Sequence, residues 1–347
     1  PHDGVLDAPG TQALLAKRCN DEHLWSANQL ETYLNCPFQF FAERLGRIRD
    51  IPAPTGGFDA LLRGDLIHRA LQALATQDGR RAPHTATAEA VRAALDTAWA
   101  RRRRAILRYP PRVAEIERTR LLRQLFRYCL CEPEMDFAGM PIALEVSFGR
   151  TGGEDDAPVV VDTPIGPIRL TGRIDRVDEG AHGLVVIDYK SGSAPVKKDL
   201  EAGLVLQVMV YAWACEVLWP DRTCEAGYYV PVTRPGNKPK DALGKQGTTP
   251  TWDMRNEAAR VRIAEAVQGV RAGWFAPQRR GKTCYGCGTA HACRHEQGRI
   301  RRRGRLGRYF LTPCCGGAGT AMPGRSATSI SLDSDWATDF CAGEDLI

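Results

Sequence analysis

Apolar and polar residues alternate with a period of two along Gly183–Gly192, GLVVIDYKSG, and glycines bracket the run. That pattern predicts a β-strand with a turn at each end. Side chains on a strand alternate faces, so Asp188 and Lys190 emerge on the same side, about 7 Å apart along the backbone. The run before it, IRLTGRIDRVDE from Ile168 to Glu179, alternates in the same way. It sets Ile168, Leu170, Gly172 and Ile174 on one face and Asp175 on the other. The polar break from Glu179 to Gly183 suits a hairpin loop. Antiparallel pairing of the two runs brings Asp175 toward Asp188. Shorter strand patterns lie over Ile142–Phe148, Val159–Val161 and Ala226–Val232.

Elsewhere the spacing is helical. Trp25–Phe41, WSANQLETYLNCPFQFF, opens with Ser26 as N-cap, Gln29 as its capping-box partner and Trp25 stapling onto Leu30. Leu30, Tyr33 and Leu34 mark one apolar face, and Pro37 directly after Cys36 interrupts or kinks the helix. Asp59–Ala75 has apolar residues at Leu61, Leu62, Leu66, Ala70, Leu71 and Leu74 and carries His68. Two helices of mixed charge, Ala86–Leu107 and Arg112–Leu130, are separated by Pro110 and Pro111. A further helix over Leu200–Trp219 puts Gln207 and Tyr211 one turn apart on a shared face, and Met254–Arg271 is amphipathic. Residues 1–22 lack a clear period and read as a leader or linker. Arg234–Thr251, rich in Pro, Gly and Lys, reads as an exposed loop. Arg299–Arg308 is strongly basic, and from Thr312 the composition turns to Gly, Ser, Thr, Ala and Asp, which predicts disorder.

Composition narrows the class without choosing a function. The chain has 347 residues, enough for one large domain or two, and 43% hydrophobic with 25% charged residues is ordinary for a soluble globular protein. No run has the apolar length of a membrane span, and the start shows no secretion signal. Beginning at Pro1, the chain reads as a piece of something longer. A net charge of +6 permits a nucleic-acid partner without demanding one. The Arg101–Arg104 run reads as a solvated helix face, with phosphate contact as the sharper alternative. Arg279–Thr283, RRGKT, ends like a phosphate-binding loop but lacks its first glycine and preceding strand. Any motor activity must therefore come from another domain or subunit.

Twelve cysteines without a signal peptide indicate a reducing compartment, the cytoplasm, where paired cysteines more often mean metal than disulfide. Cys284, Cys287 and Cys293 form a C-x2-C-x5-C run, and Cys36 stands 248 positions before it. Four thiolates bind zinc or an iron–sulfur cluster, and ligand geometry alone does not separate the two. Taken singly, the other candidates have plain readings. Asp188 and Lys190 could be an edge-strand ion pair, His68 a structural imidazole, Glu145 a partly exposed strand residue, and Gln207 with Tyr211 a core margin. Two acids and a lysine gathered at adjoining strand ends are more specific than any one of them, because such a set can hold a metal beside a reacting oxygen.

At these residues the chain resembles the PD-(D/E)XK nuclease superfamily, and within it the RecB-like branch that includes the nuclease domain of AddB-type helicase–nuclease subunits. Gly172, Ile174, Asp175, Arg176 and Asp178 match its G-x-hydrophobic-D-R-x-D pattern. Asp188, Tyr189, Lys190, Ser191 and Gly192 match its hydrophobic-D-Y-K-S/T-G pattern. The resemblance implies an α/β, restriction-endonuclease-like core: a mixed central sheet flanked by helices over residues 23–298, with a helical insertion at about 76–135 and a tail at 299–347. It implies that Asp175, Asp188, His68 and the Tyr189 carbonyl hold Mg²⁺ or Mn²⁺, with Glu145 as a further strand acid. Lys190 would act on the attacking water or the developing charge, with Gln207 and Tyr211 positioning the site. It also implies that Cys36, Cys284, Cys287 and Cys293 ligate a [4Fe–4S] cluster, in preference to zinc, that staples the N- and C-terminal segments. The expected function is a metal-dependent DNA nuclease, an exonuclease or single-strand and end-processing enzyme in recombination and double-strand-break repair. Its partners would be DNA and a helicase domain or subunit in the bacterial cytosol, with no membrane. The alternative is a non-catalytic iron–sulfur DNA-binding or scaffolding module.

Overall fold

The computed structural model describes residues 4–48, 56–76, 82–135, 139–149, 157–233, 239–243, 250–278, 284 and 287–293. The RRGKT stretch, most of the expected loop at 234–251 and the tail from Arg299 lie outside these residues.

The segment read as a leader or linker is instead built into the fold. Helix α1, Pro9–Arg18, buries Leu15, and Cys19 joins the same core. Val5 pairs with Trp274 as a β-bridge, and Leu6 N donates to Gly273 O at 2.9 Å. One buried leucine in ten residues leaves no period to read, and only partners far along the chain hold this stretch in place.

Ser26 caps helix α2, Ala27–Asn35, through the expected capping box: Gln29 N donates to Ser26 Oγ at 3.3 Å and Ser26 N to Gln29 Oε1 at 3.0 Å. Cys36 breaks out to an extended φ of −160° before Pro37 starts a short second helix, Pro37–Phe40. A helical layer follows: α3, Ala60–Thr76; α4, Ala88–Arg101; and α5, Pro111–Cys131. Of the Arg101–Arg104 run, Arg102 is bound to Asp65 by Nε at 2.5 Å and Nη2 at 2.6 Å, while its three neighbours are exposed.

The sheet is mixed. Strands β1, Met140–Phe148, and β2, Val159–Thr163, run antiparallel to the long β3, Gly166–Glu179. Strand β4, Leu184–Lys190, returns antiparallel to β3 with Arg176 opposite Ile187. The helix expected over Leu200–Trp219 is divided. A short helix, Lys197–Glu201, stops at Gly203, whose φ of +64° is left-handed, and Leu204 N then donates to Asp199 O at 2.9 Å. Glycine is the residue that adopts this conformation without steric cost. Helix α6, Gln207–Leu218, begins afresh and leads to β5, Cys224–Pro231, parallel to β4. Gly227 on β5 lets α6 approach closely, since a Cβ there would sit 2.4 Å from Val208 Cγ1. Part of the expected exposed loop is ordered: β6, Lys240–Asp241, pairs with β5, and Leu243 is fully buried beyond it. Helix α7, Pro250–Arg271, is the last long element among the described residues.

Two apolar cores sandwich the sheet, and β4 alternates between them. Leu184 and Val186 face the core built with α2, α6 and α7; Val185, Ile187 and Tyr189 face the core of α3, α4 and α5. A strand covered on both faces reads as a nearly continuous apolar run. Asp188 and Lys190 interrupt it on the α6 side. Among the described residues no helix is long and apolar enough to cross a membrane.

Candidate active site

The β3–β4 ladder ends at Arg176 and Ile187, and the next residue on each strand is Asp175 and Asp188, which line the same cleft. Asp175 Oδ2 accepts a hydrogen bond from Tyr189 N at 2.9 Å, and its Oδ1 lies 3.3 Å from His68 Nδ1 of α3. Lys190 Nζ meets Asp188 Oδ2 at 2.6 Å and donates to Gln207 Oε1 at 2.5 Å. Nζ also sits 5.1 Å from the centre of the Tyr229 ring. Tyr211, one turn after Gln207, is buried edge-on against Phe148 at 6.3 Å. His68, Asp175, Asp188, Lys190, Gln207 and Tyr211 line one cleft of about 550 Å³, which Ser26, Ser191 and Gly192 help to enclose.

Glu145 comes to the same place by an unusual backbone. Its neighbours Leu144 and Val146 pair with Arg176 and Ile174, so it faces Asp175 across the β1–β3 ladder, and its φ is +52°. A left-handed non-glycine residue costs on the order of 1–3 kcal/mol and persists only where its surroundings enforce it. Arg173 Nε holds its carboxylate at 2.8 Å. Ligand atoms of His68, Glu145 and Asp175 all lie within 4.8 Å of one another, the one such His/Cys/Asp/Glu group among the described residues.

Tyr189 has its side chain on the other face of β4. Its hydroxyl accepts from Arg176 Nη1 at 3.0 Å, and Arg176 grips Asp178 with Nε at 2.5 Å and Nη2 at 2.6 Å. Glu132, at the end of α5, accepts from Arg176 Nη1 at 2.5 Å and from Tyr128 Oη at 3.0 Å. Arg176, Asp178 and Glu132 are fully buried. This network ties the helical layer to the strand that carries the cleft.

Glu31 is a member of the site that the sequence reading missed. Its Oε1 accepts from Leu206 N at 2.6 Å and Gln207 N at 3.1 Å, so an acid on α2 caps the helix that presents Gln207. Burial pushes its carboxyl up to about 7, although the capped amides and nearby Lys190 pull the other way. No local pattern signals this, because its partners lie 175 positions away.

Acids and cations crowd together here: Asp175 and Asp188 line the cleft with His68, Lys190 and Arg173, and Arg173 also holds Glu145 beside Asp175. Burial raises Asp188 to about 6, with Asp175 adding to the rise and Lys190 opposing it. Burial and Asp175 likewise raise Glu145. Burial alone would lower His68 and Lys190, yet Asp175 raises the imidazole and Asp188 the ammonium above their ordinary values. Asp188 Oδ2 is buried and, despite the short approach of Lys190, receives no well-aligned hydrogen bond. Crowded hard oxygen ligands, one imidazole and an under-satisfied carboxylate oxygen fit Mg²⁺ or Mn²⁺. Cys36, Cys284, Cys287 and Cys293 are not in disulfides, but among the described residues no three of them come together as ligands. The described structure therefore does not display the expected staple.

Electrostatic crowding predicts how cations stabilise the chain. Asp188 titrates near 6 when folded and near 3.8 when exposed, so its contribution favours the fold below about pH 3.8 and is lost as pH rises through 6. Mg²⁺ should offset that loss. Its effect on the melting temperature is expected to be clear at pH 8 and much smaller at pH 5, where protons compete for the same carboxyl. Equal Mg²⁺ shifts at both pH values would contradict the charge balance described.

A sheet of this topology, with paired acids and a lysine at the ends of adjoining strands, defines a nuclease class of site. The family model of the PD-(D/E)XK nuclease superfamily matches residues 24–294, and the chain belongs to that superfamily. An ATP-dependent helicase/deoxyribonuclease subunit of Symbiobacterium thermophilum is 34% identical over 247 residues, 62% of this chain and 20% of that protein. The subunits of the same name from Moorella thermoacetica and Acetivibrio thermocellus are 30% identical over 249 residues and 41% over 85 residues. The Moorella match takes in 64% of this chain and 20% of that protein, and the Acetivibrio match 23% and 7%. The chain thus spans about a fifth of the length of the Symbiobacterium and Moorella relatives.

Proposed function

We propose that this chain is a metal-dependent deoxyribonuclease that hydrolyses phosphodiesters at ends or on single strands as an exonuclease. The observation that carries the proposal is the juxtaposition of Asp175, Asp188, Lys190 and His68 in one cleft, with Glu145 beside His68 and Asp175. Asp175, Asp188, His68 and the Tyr189 carbonyl would hold Mg²⁺ or Mn²⁺, with Glu145 alongside. When bound, the ion supplies Lewis-acid polarisation of the phosphate and a more acidic water. Lys190 remains cationic because acids surround it. Gln207 Oε1 accepts one hydrogen bond from it, which leaves its other N–H groups to face the attacking water or the developing phosphoryl charge. Glu31 fixes Gln207 by capping its helix, and Tyr211 closes the wall.

The helicase named in the relatives supports a motor in another domain or subunit, feeding DNA to this cleft during recombination and break repair in the cytosol. The split Cys36, Cys284, Cys287 and Cys293 set supports a [4Fe–4S] cluster in place of zinc, on sequence spacing alone. Iron and sulfide analysis of protein purified without oxygen decides that point; stoichiometric zinc would overturn it. For the nuclease, end-labelled single- and double-stranded DNA with Mg²⁺ should yield products that EDTA abolishes. Lys190→Ala is expected to slow cleavage by about 10²–10³-fold, the scale for removing a preorganised charge-stabilising group. Cleavage indifferent to EDTA and to this substitution would refute the assignment.

A further inference from the structure

A second groove, of about 530 Å³, lies outside the acidic cleft, along α5. Arg112, Arg120, Arg123 and Arg127 line it, with Glu115 as the one carboxylate and Thr233 on the far wall. At 3.6 residues per turn these four arginines fall within an arc of about 80° of the helix, and they span about 22 Å of its length. All four are exposed, and among the described residues none has a hydrogen-bond or ion-pair partner. Of the arginines elsewhere on the same helical layer, Arg63 is paired with Glu117, Arg102 with Asp65 and Arg118 with Asp96, whereas Arg101, Arg103, Arg104 and Arg108 are exposed but do not line this groove. What sets this face apart is that its four arginines converge on one groove, where Glu115 is the one lining carboxylate and Arg120 feels the nearby Glu117. The groove also adjoins the cleft. Thr233 Oγ1 donates to Ser191 O at 2.8 Å, and Ser191, next to Lys190, lines the acidic cleft.

We infer that the arginine face of α5 binds the phosphate backbone of a single nucleic-acid strand as it enters or leaves the cleft. The inference rests on the nuclease reading for its biological sense, but its binding chemistry stands apart from it. Guanidinium forks match phosphate oxygens and keep their charge at any working pH. A single row of them suits one backbone, whereas a duplex presents two across a groove. A length of about 22 Å lies at the low end of single-strand sites, roughly four nucleotides. Nothing in the groove offers a pattern for reading bases, so binding should be indifferent to sequence.

The test measures binding of a labelled single strand of about 16 nucleotides to the full chain carrying Asp188→Ala, so that cutting plays no part. Adding Arg112→Gln, Arg120→Gln, Arg123→Gln and Arg127→Gln is expected to weaken binding at least tenfold near physiological salt. The salt slope should fall by about 0.7 for each phosphate no longer neutralised. A charge-matched control, Arg101→Gln, Arg103→Gln, Arg104→Gln and Arg108→Gln on exposed positions of the same layer, should leave both nearly unchanged. With Asp188 restored, the groove variant should lose cleavage of the long strand through KM while keeping cleavage of a tetranucleotide. Circular dichroism establishes that each variant is folded. Equal weakening by the control would reduce the effect to net charge and overturn the inference. Unchanged binding by the groove variant would also overturn it and leave the face to an acidic protein surface. If the chain with Asp188 cuts neither substrate, the nuclease reading fails while the binding comparison still decides this one.

Discussion

Asp188→Ala is expected to lower Mg²⁺-dependent DNA cleavage by about 10³-fold or more, the upper range for loss of a preorganised electrostatic group, while the chain stays folded. Asp188 stands next to Asp175 and touches Lys190, so on the proposed reading its loss would remove a metal ligand and the partner of the ammonium together. Stability should respond in the opposite sense to activity. Burial already raises this carboxyl to about 6, so the ionised form at neutral pH is a cost to the metal-free fold. Alanine removes that cost, and Lys190 keeps Gln207 as its acceptor. The melting temperature without metal should therefore be unchanged or slightly higher, and the extra stabilisation by Mg²⁺ should disappear. Cleavage rates with a thermal melt in the presence and absence of Mg²⁺ check both halves. A variant that still cuts within tenfold of the parent would remove Asp188 from the chemistry.

Arg176→Met should produce the largest loss of stability, about 3–5 kcal/mol, the range for breaking a buried ion pair by removing one partner. Methionine leaves Asp178 and Glu132, both fully buried, with no guanidinium between them. For a chain of this size the melting temperature should fall by roughly 10 °C. Activity should fall too, because the Tyr189 hydroxyl loses its donor and Tyr189 N is the group that holds Asp175. Changing all three charged members to apolar residues of similar volume, Arg176→Met with Asp178→Leu and Glu132→Leu, should recover much of the stability, since no lone charge then remains buried. Thermal melts of the single and triple variants make the comparison. A single variant as stable as the parent would show that the network carries no such coupling.

Much of this architecture could be read from local pattern, and the residues show why. Strand β4 stands where the alternation from Leu184 to Lys190 puts it, and Asp188 and Lys190 share a face because a strand repeats every two residues. The Ser26–Gln29 box is legible because both of its hydrogen bonds are local. Helix α1 was not legible, since a single buried leucine makes no pattern. The break at Gly203 was hidden because apolar residues on both sides continue a helical spacing through it. Glu145 was only half legible: its strand is visible, but its left-handed φ and its approach to His68 and Asp175 are not.

Local sequence, then, carries the elements and the faces, because periodicity and capping are short-range effects that each segment expresses alone. Contact among segments far apart in the chain decides the rest: Glu31 capping α6, Glu132 meeting Arg176, and His68 reaching Asp175. Those pairings arise only when burial strips water from charged groups and leaves each to find a partner across the fold. The charge balance of the cleft belongs to that packing and to no single stretch of residues.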